Sequence, residues 1–427
     1  KDYDKYLVME KQNISSLEFS FVLHEENLFI RSNFSDPKEI VRFLNLQKDI
    51  NQKHHDSFYK IGVLSNKNSI EFHSEAFGIH SLYWAEVNDS IIFSNSSYFL
   101  AKLLGKSPLG IRGLFIHLIL RGQINSASYF EDIFQMPPQS ILRLGKSGIT
   151  ISKGKANTSP DASIGKILLK DIPDDIIDNS GISFSGGIDS SIIVKECLNR
   201  HKTISCYSLV NPNNRNLKTD LYFADMLASQ QYFNINKVPF QIDNEIFYYD
   251  MPVLDHDVYG QICLAKAMVQ DGKKYMICGS GADELFGGYD RIFYYANEIS
   301  HKDCENPVDY ILQRYSYTDF KLLQYIDGDL FGDVYHNIKT YYANITTLQS
   351  NLVSQLHQWF IYHHLFWILK MHPSNISCIF PYLREEFLSF CLQTDYNTIF
   401  PYLLLKQTDP SYHLKVKSII KEQYKYS

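Results

Sequence analysis

The first 196 residues contain no cysteine. The seven in the rest, at 197, 206, 263, 278, 304, 378 and 391, form no CxxC pair and follow no regular spacing. An odd number without metal-ligand spacing argues against a disulfide framework and against a thiolate metal site, and it reads as reduced thiols in a reducing compartment. It also denies the N-terminal half a thiol nucleophile. Long apolar runs are missing too: Leu114 to Leu120 and Phe360 to Leu369 are short and interrupted by histidines, well below the roughly 18 residues of a membrane span. No apolar signal core follows Lys1-Asp2-Tyr3-Asp4-Lys5, so the expectation is a soluble, cytoplasmic protein with no membrane partner. Excess positive charge is the third absence. With 41 Lys and Arg against 47 Asp and Glu the net charge is -6, which gives no overall field to hold a nucleic acid backbone.

What is present is core material: 45% hydrophobic residues, including 30 Tyr and 28 Phe, a composition that argues against extensive disorder. A chain of 427 residues exceeds the roughly 250 to 300 at which a single core stops growing, so two domains are expected. Two textures agree. Up to about residue 155, short alternating runs such as Phe19 to Leu23, Ser69 to His73 and Ile91 to Ser94 are separated by Asn, Ser, Asp and Gly, the period-two pattern of antiparallel sheet. "GKANTSPD", Gly154 to Asp161, reads as a linker. Beyond it, strand-like "ISF", "TISCYSLV", "INKVPFQI" and "YMICGS" alternate with helix-like Ile192 to Leu198, Thr219 to Gln231 and Val258 to Gln270. That alternation predicts a parallel sheet of about five strands with helices on both faces, and helical additions after about residue 300. Ligands of such sheets bind at the carboxyl ends of strands.

Two Gly-rich turns fall at such ends. "SFSGGIDSS" places Ser185, Gly186, Gly187, Asp189, Ser190 and Ser191 between a strand and a helix. The helix N-terminus favours an anion, the glycines let backbone wrap phosphate oxygens, and the hydroxyls add donors. Asp189 makes sense there if it holds Mg2+ bridging the phosphates. The plain alternative is a Gly-Gly turn whose Asp and Ser cap a helix. "CGSGADELFGGYDR", Cys278 to Arg291, ends a second strand and adds Asp283 as a second metal carboxylate beside Gly279, Ser280 and Gly281. A solvated acidic turn would leave Gly287 and Gly288 without a purpose.

Together the two motifs resemble the asparagine synthetase family, whose synthetase domain carries SGG-x-DS and a later G-x-G-A/S-D-E-x-F-GGY. "FGIHSLYW" (Phe77 to Trp84), "IIFSNSSYFLAKLL" and "YFEDIFQMPPQSIL" (Tyr129 to Leu142) extend the resemblance into the first half. It implies an α/β protein in two parts: a layered, β-rich domain of the N-terminal-nucleophile hydrolase type over 1–155, glutaminase-like but without its cysteine, and a PP-loop parallel α/β synthetase domain over 156–427. It implies ATP and Mg2+ as cofactors, with Ser185, Gly186, Gly187, Asp189, Ser190, Ser191, Gly279 and Gly281 on the nucleotide, Asp189 and Asp283 on the metal, and activation of a carboxylate as an acyl adenylate that an amine then attacks.

Departures bear on the acceptor side. Ser280 stands where the family has Glu between the glycines, Ser377 and Ile379 replace Glu and Arg of a later segment, and no clear match exists for a terminal lysine, for which Lys415, Lys417 and Lys421 are near in sequence. The pattern is similar to branches that use an amine other than ammonia, β-lactam synthetases and lasso-peptide cyclases. The leading expectation is therefore amide or macrolactam formation on a small-molecule or peptide substrate, with a partner protein delivering it as one arrangement, and with Ser280 and Asp255 as catalytic candidates. Asparagine synthesis from free ammonia is the runner-up. A degenerate ATP-binding structural partner and a tRNA-modifying PP-loop enzyme are the other classes, the last disfavoured by charge. Asp255, His256 and Asp257 could face substrate or cap a helix. Tyr289 could pack on the nucleotide or in the core. The pairs His54-His55 and His363-His364 lack ligand spacing and read as packing.

Overall fold

The computed structural model describes residues 6–10, 19–23, 28–32, 62–66, 69–79, 81–87, 90–94, 97–124, 126–145, 148–154, 168–170, 172–200, 203–210, 215–241, 251–252, 256–286, 288, 307–342, 352–372 and 376–393. The first half forms two antiparallel sheets. β1 (Tyr6–Glu10), β2 (Phe19–Leu23), β3 (Leu28–Ser32), β6 (Tyr83–Val87), β7 (Ser90–Ser94) and β8 (Ile133–Gln135) build one, in the order β3-β2-β1-β7-β6-β8. β4 (Gly62–Asn66), β5 (Ser69–His73), β9 (Ser140–Gly145) and β10 (Gly148–Lys153) build the other, in the order β10-β9-β5-β4. The alternating runs read from the sequence coincide with β2, β5 and β7, because a strand with one buried face must repeat every second residue. Phe72 of one sheet meets Phe93 of the other, ring centroids 4.7 Å apart.

The second half contains a parallel sheet: β11 (Ser180–Ser183), β12 (Cys206–Val210), β13 (Ile235–Pro239), β14 (Tyr275–Ile277) and β15 (Ser377–Ile379), in the order β13-β12-β11-β14-β15. The chain runs outward from β11 through β12 to β13, then returns to place β14 on the other side of β11. Strand order reverses between β11 and β14, and a crevice opens at such a point. Helices cover both faces, as the alternation required. Ile182 and Ile277 share one core with Ile193, Val194 and Cys197 of the helix Ile188–Arg200 and with Phe387 and Leu388 of the helix Glu385–Gln393. Met276 and Tyr207 share another with Leu264, Ala265 and Met268 of the helix His256–Gln270. Gly181 is required between them: a Cβ there would stand 2.6 Å from Met268 Cγ.

Helices after residue 300 (Pro307–Tyr315, Phe320–Ile326, Gly328–Tyr341, Leu352–Trp359) enclose a further core. Phe115, Ile119 and Leu120 of the earlier helix Gly110–Leu120 belong to it. From Leu352 the chain stays helical through a π-helical segment, Phe360–Leu365, to Leu369. That stretch ties the halves together. Lys370 Nζ donates to Gly78 O and Ser81 Oγ, both at 2.6 Å. Gly122 accommodates the Trp367 indole so closely that a Cβ would come within 2.2 Å of its Nε1. Inside the segment, His363 bonds the Tyr342 hydroxyl at 3.0 Å and Leu120 O at 2.8 Å, and His364 bonds the Tyr315 hydroxyl. This pair is core packing. His54-His55 and nearly all of the linker 154–161 lie outside the described residues. Among the described residues no helix is long and apolar enough to cross a membrane.

Candidate functional site

β11 ends at Ser183, the buried Phe184 follows it, and the chain then turns through exposed Ser185 and through Gly186 at φ 78°. That φ is left-handed and suits glycine. The helix begins at Ile188, earlier than the apolar pattern from Ile192 indicates. Asp189, Ser190 and Ser191 therefore occupy the first helical turn, where exposed N–H groups and the dipole favour an acidic side chain, and the phosphate-type loop is confined to residues 185–187. Gly187 N–H donates to Ser185 Oγ at 3.1 Å, and Ser185 Oγ lies 3.2 Å from Ser190 Oγ. Ser190 and Ser191 both donate to Gly187 O, at 3.2 and 2.6 Å.

The turn after β14 abuts this one. A Cβ on Gly279 would sit 3.5 Å from Asp189 Cβ and 3.6 Å from Ser190 N. Gly281, at φ 94°, turns the chain into the short helix Ala282–Phe286, which carries Asp283. Gly288 N–H donates to Asp283 O at 2.7 Å. Tyr382 O–H reaches across to Asp189 O at 2.9 Å, which braces the helix start after the first turn.

Between them lies a cavity of about 480 Å³. Of the residues singled out from the sequence, Ser185, Asp189, Ser190, Gly279, Ser280, Gly281 and Asp283 line it. Gly186, Gly187 and Ser191 do not: the glycines shape the turn and Ser191 bonds backwards onto it. Asp255, Tyr289, Lys415, Lys417 and Lys421 lie outside the described residues. Asp257, from the same "DHD" run as Asp255, lines the cavity. Ile379 is a buried β15 residue paired with Ile277, and neither it nor Ser377 is among the lining residues. His372 was not legible in the sequence. It lines the cavity with Nε2 3.1 Å from Ser280 Oγ, and no spacing rule links residues 92 positions apart. Leu209, Phe240, Ile368 and Met371 supply apolar wall.

Four acidic residues line the cavity, Asp189, Asp257, Asp283 and Glu284, of which Asp189 and Asp283 follow the two turns, beside Ser183, Ser185, Ser190 and Ser280. Among the described residues no group of three His, Cys, Asp or Glu could hold a metal unaided. All-oxygen donors with two carboxylates suit magnesium, which completes its shell with water and phosphate oxygens. Cys278 lies at the same edge, but burial pushes its thiol well up, so it is no thiolate nucleophile.

Burial has a second consequence for titration. It lowers His117, His363 and His372 each to about 4, and lowers His357, whose Nε2 lies 3.0 and 2.8 Å from the Glu284 and Leu285 carbonyl oxygens. A histidine held neutral in the fold takes up its proton first in the unfolded chain. Its contribution is complete above the ordinary value of about 6.5 and declines as pH falls toward 4. Denaturant unfolding is expected to show stability falling through that window, and His363→Gln is expected to flatten the slope by about one proton, or about 1.4 kcal/mol per pH unit. An unchanged slope would mean that His363 is already charged in the fold.

A family profile described as asparagine synthase matches residues 179–401, just over half of the chain. Among curated proteins, asparagine synthetase [glutamine-hydrolyzing] 1 of Bacillus subtilis (strain 168) is 26% identical over 252 residues, 54% of this chain and 39% of its own length. Putative asparagine synthetase [glutamine-hydrolyzing] 1 of Methanocaldococcus jannaschii is 31% identical over 126 residues, 27% of this chain and 22% of its own length. The chain thus spans well under half the length of either relative.

Proposed function

Because the chain belongs to the asparagine synthase family, we propose that it is an ATP-dependent, AMP-forming carbon–nitrogen ligase that activates a carboxylate as an acyl adenylate and joins it to an amine. The observation that carries this reading is the convergence of Asp189 and Asp283, from the turns after β11 and β14, on one cavity at the reversal of strand order. Ser185 and Ser190, which line the cavity, offer hydroxyls to the β- and γ-phosphates, and the helix start behind the turn offers its N-terminal field. Held by its far end, the nucleotide keeps its α-phosphate toward the open cavity, where an incoming carboxylate can attack. The bond that breaks then lies between α and β, and the donors stabilise charge on departing pyrophosphate. Magnesium, when bound by Asp189 and Asp283, neutralises part of that charge.

The acceptor is an amine on the substrate itself or on a natural product or peptide, as in macrolactam formation of the lasso-peptide cyclase and β-lactam synthetase kind. In support, Ser280 replaces the family's Glu within the cavity and Ile379, a core residue, replaces its Arg. These changes fall on the acceptor side and spare the phosphate turn. The first 155 residues, with their two antiparallel sheets and no cysteine among them, act as a glutaminase-like scaffold, and 156–427 as the synthetase unit. The setting is cytoplasmic, and the substrate arrives free or on a partner protein. A second reading is asparagine formation from aspartate and free ammonia, the product given in the relatives' names.

Incubation with ATP, magnesium and a small-molecule extract of cells is expected to release AMP and pyrophosphate and to yield an amide visible by mass. Formation of ADP and phosphate would overturn the adenylation step. Release of asparagine from aspartate and ammonium would select the second reading.

A further inference from the structure

The adenylation reading leaves one chemical need without a residue: the attacking amine must lose a proton. We infer that Ser280 and His372 form the relay that removes it, Ser280 Oγ contacting the amine nitrogen and His372 acting through that hydroxyl. The two groups are 3.1 Å apart and both line the cavity. His372 is positioned by the end of the helical stretch that ties the chain's halves together, and its ring meets Phe380 edge to face at 4.7 Å. Its Nδ1 is buried and has no hydrogen-bond partner among the described residues. With the proton on Nδ1, Nε2 accepts the Ser280 hydroxyl and leaves the serine lone pairs for an incoming N–H.

The step balances as follows. The amine lone pair forms the new C–N bond at the acyl carbon while the carbonyl π pair moves to oxygen, leaving nitrogen cationic. An N–H bond breaks, its proton passes to Ser280 Oγ, and the serine proton passes to His372 Nε2. The carbonyl reforms, and the bond to the phosphate oxygen breaks with its electron pair on AMP. The imidazolium then gives its proton to solvent. Among the described residues no carboxylate bonds Nδ1 in the manner of a triad. The other titratable groups lining the cavity are Asp189, Asp257, Asp283, Glu284 and the buried Cys278, and Lys370 on the same stretch is bonded to Gly78 and Ser81. Ser280 is thus not activated as a nucleophile. A neutral, weakly basic imidazole can still take a proton from a cationic adduct, whose N–H is far more acidic than a serine hydroxyl.

The inference rests on the adenylation reading, and the test separates the two. In Ser280→Ala and His372→Asn, product formation from the cell extract with ATP and magnesium is expected to fall about 100-fold, the scale of general-base assistance. Exchange of labelled pyrophosphate into ATP should fall far less. Ser280→Glu, which supplies a carboxylate, should recover part of the loss. Nitrogen-15 spectra of histidine-labelled protein without substrate should show the His372 Nε2 signal shifting in Ser280→Ala while other histidine signals hold, which also reports the fold. Parallel loss of exchange and product, or an unmoved His372 signal, overturns the relay. A wild type that exchanges no pyrophosphate overturns the adenylation reading and the relay with it.

Discussion

Asp189→Asn is expected to lower pyrophosphate exchange by about a hundredfold or more, a few kcal/mol of lost transition-state stabilisation, while leaving the fold intact. The substitution keeps size and removes charge. Its backbone carbonyl still accepts from Tyr382 O–H, and the helix start still offers N–H groups, so an effect on rate isolates the carboxylate. Asp283→Asn should behave alike. If both carboxylates act through one magnesium, the double variant loses much less than the product of the two single losses, because removing either already dismantles the shared site. The apparent magnesium requirement should rise in each single variant. Near-normal exchange in either one would separate that carboxylate from the metal. Full multiplicative loss would assign the two to independent roles.

The features that make this test possible were legible to different degrees. Strand-helix alternation places β11, β12, β13 and β14 because each buried parallel strand is a short apolar run between helices, and Gly186 and Gly281 mark their turns because left-handed φ excludes most other residues. The start of the helix at Ile188 was less legible. Its first turn is Ile-Asp-Ser-Ser, three polar residues that favour a cap or loop on propensity and are held helical by the phosphate-type turn before them. β15 was not legible as a sheet member: three residues, Ser377–Ile379, join the edge after some hundred residues of chain on a register set by β14. His372 belongs to the same class. A lone histidine after an apolar helix carries no signal until the fold brings Ser280 to it. The substitution of Ser280 for a carboxylate was readable, and its consequence was not.

The last expected result depends on a contact no sequence rule states. Gly288 has no left-handed φ, so alanine suits its backbone, yet a Cβ there would stand 1.7 Å from Asp283 Oδ1, 2.6 Å from Cγ and 2.9 Å from Cα. Rotating the carboxylate relieves the first two contacts. The third involves backbone, so the turn from Asp283 to Gly288, closed by the 2.7 Å Gly288 N–H to Asp283 O bond, must open as well. Gly288→Ala therefore moves the Asp283 carboxylate without altering a single donor atom of the cavity. Pyrophosphate exchange is expected to fall to about the level of Asp283→Asn, roughly a hundredfold, with a global stability loss of about 1–3 kcal/mol as for other overpacked sites. Adding Gly288→Ala to Asp283→Asn should cost little more, since the group it displaces has already lost its charge. Gly328→Ala is the matched control: it opens a helix, meets nothing within 4 Å, and should leave exchange unchanged while stabilising the helix by up to about 1 kcal/mol. If Gly288→Ala unfolds the protein no more than expected and still exchanges pyrophosphate at the wild-type rate, the Asp283 carboxylate can work from a second position, and its assignment to the metal is wrong.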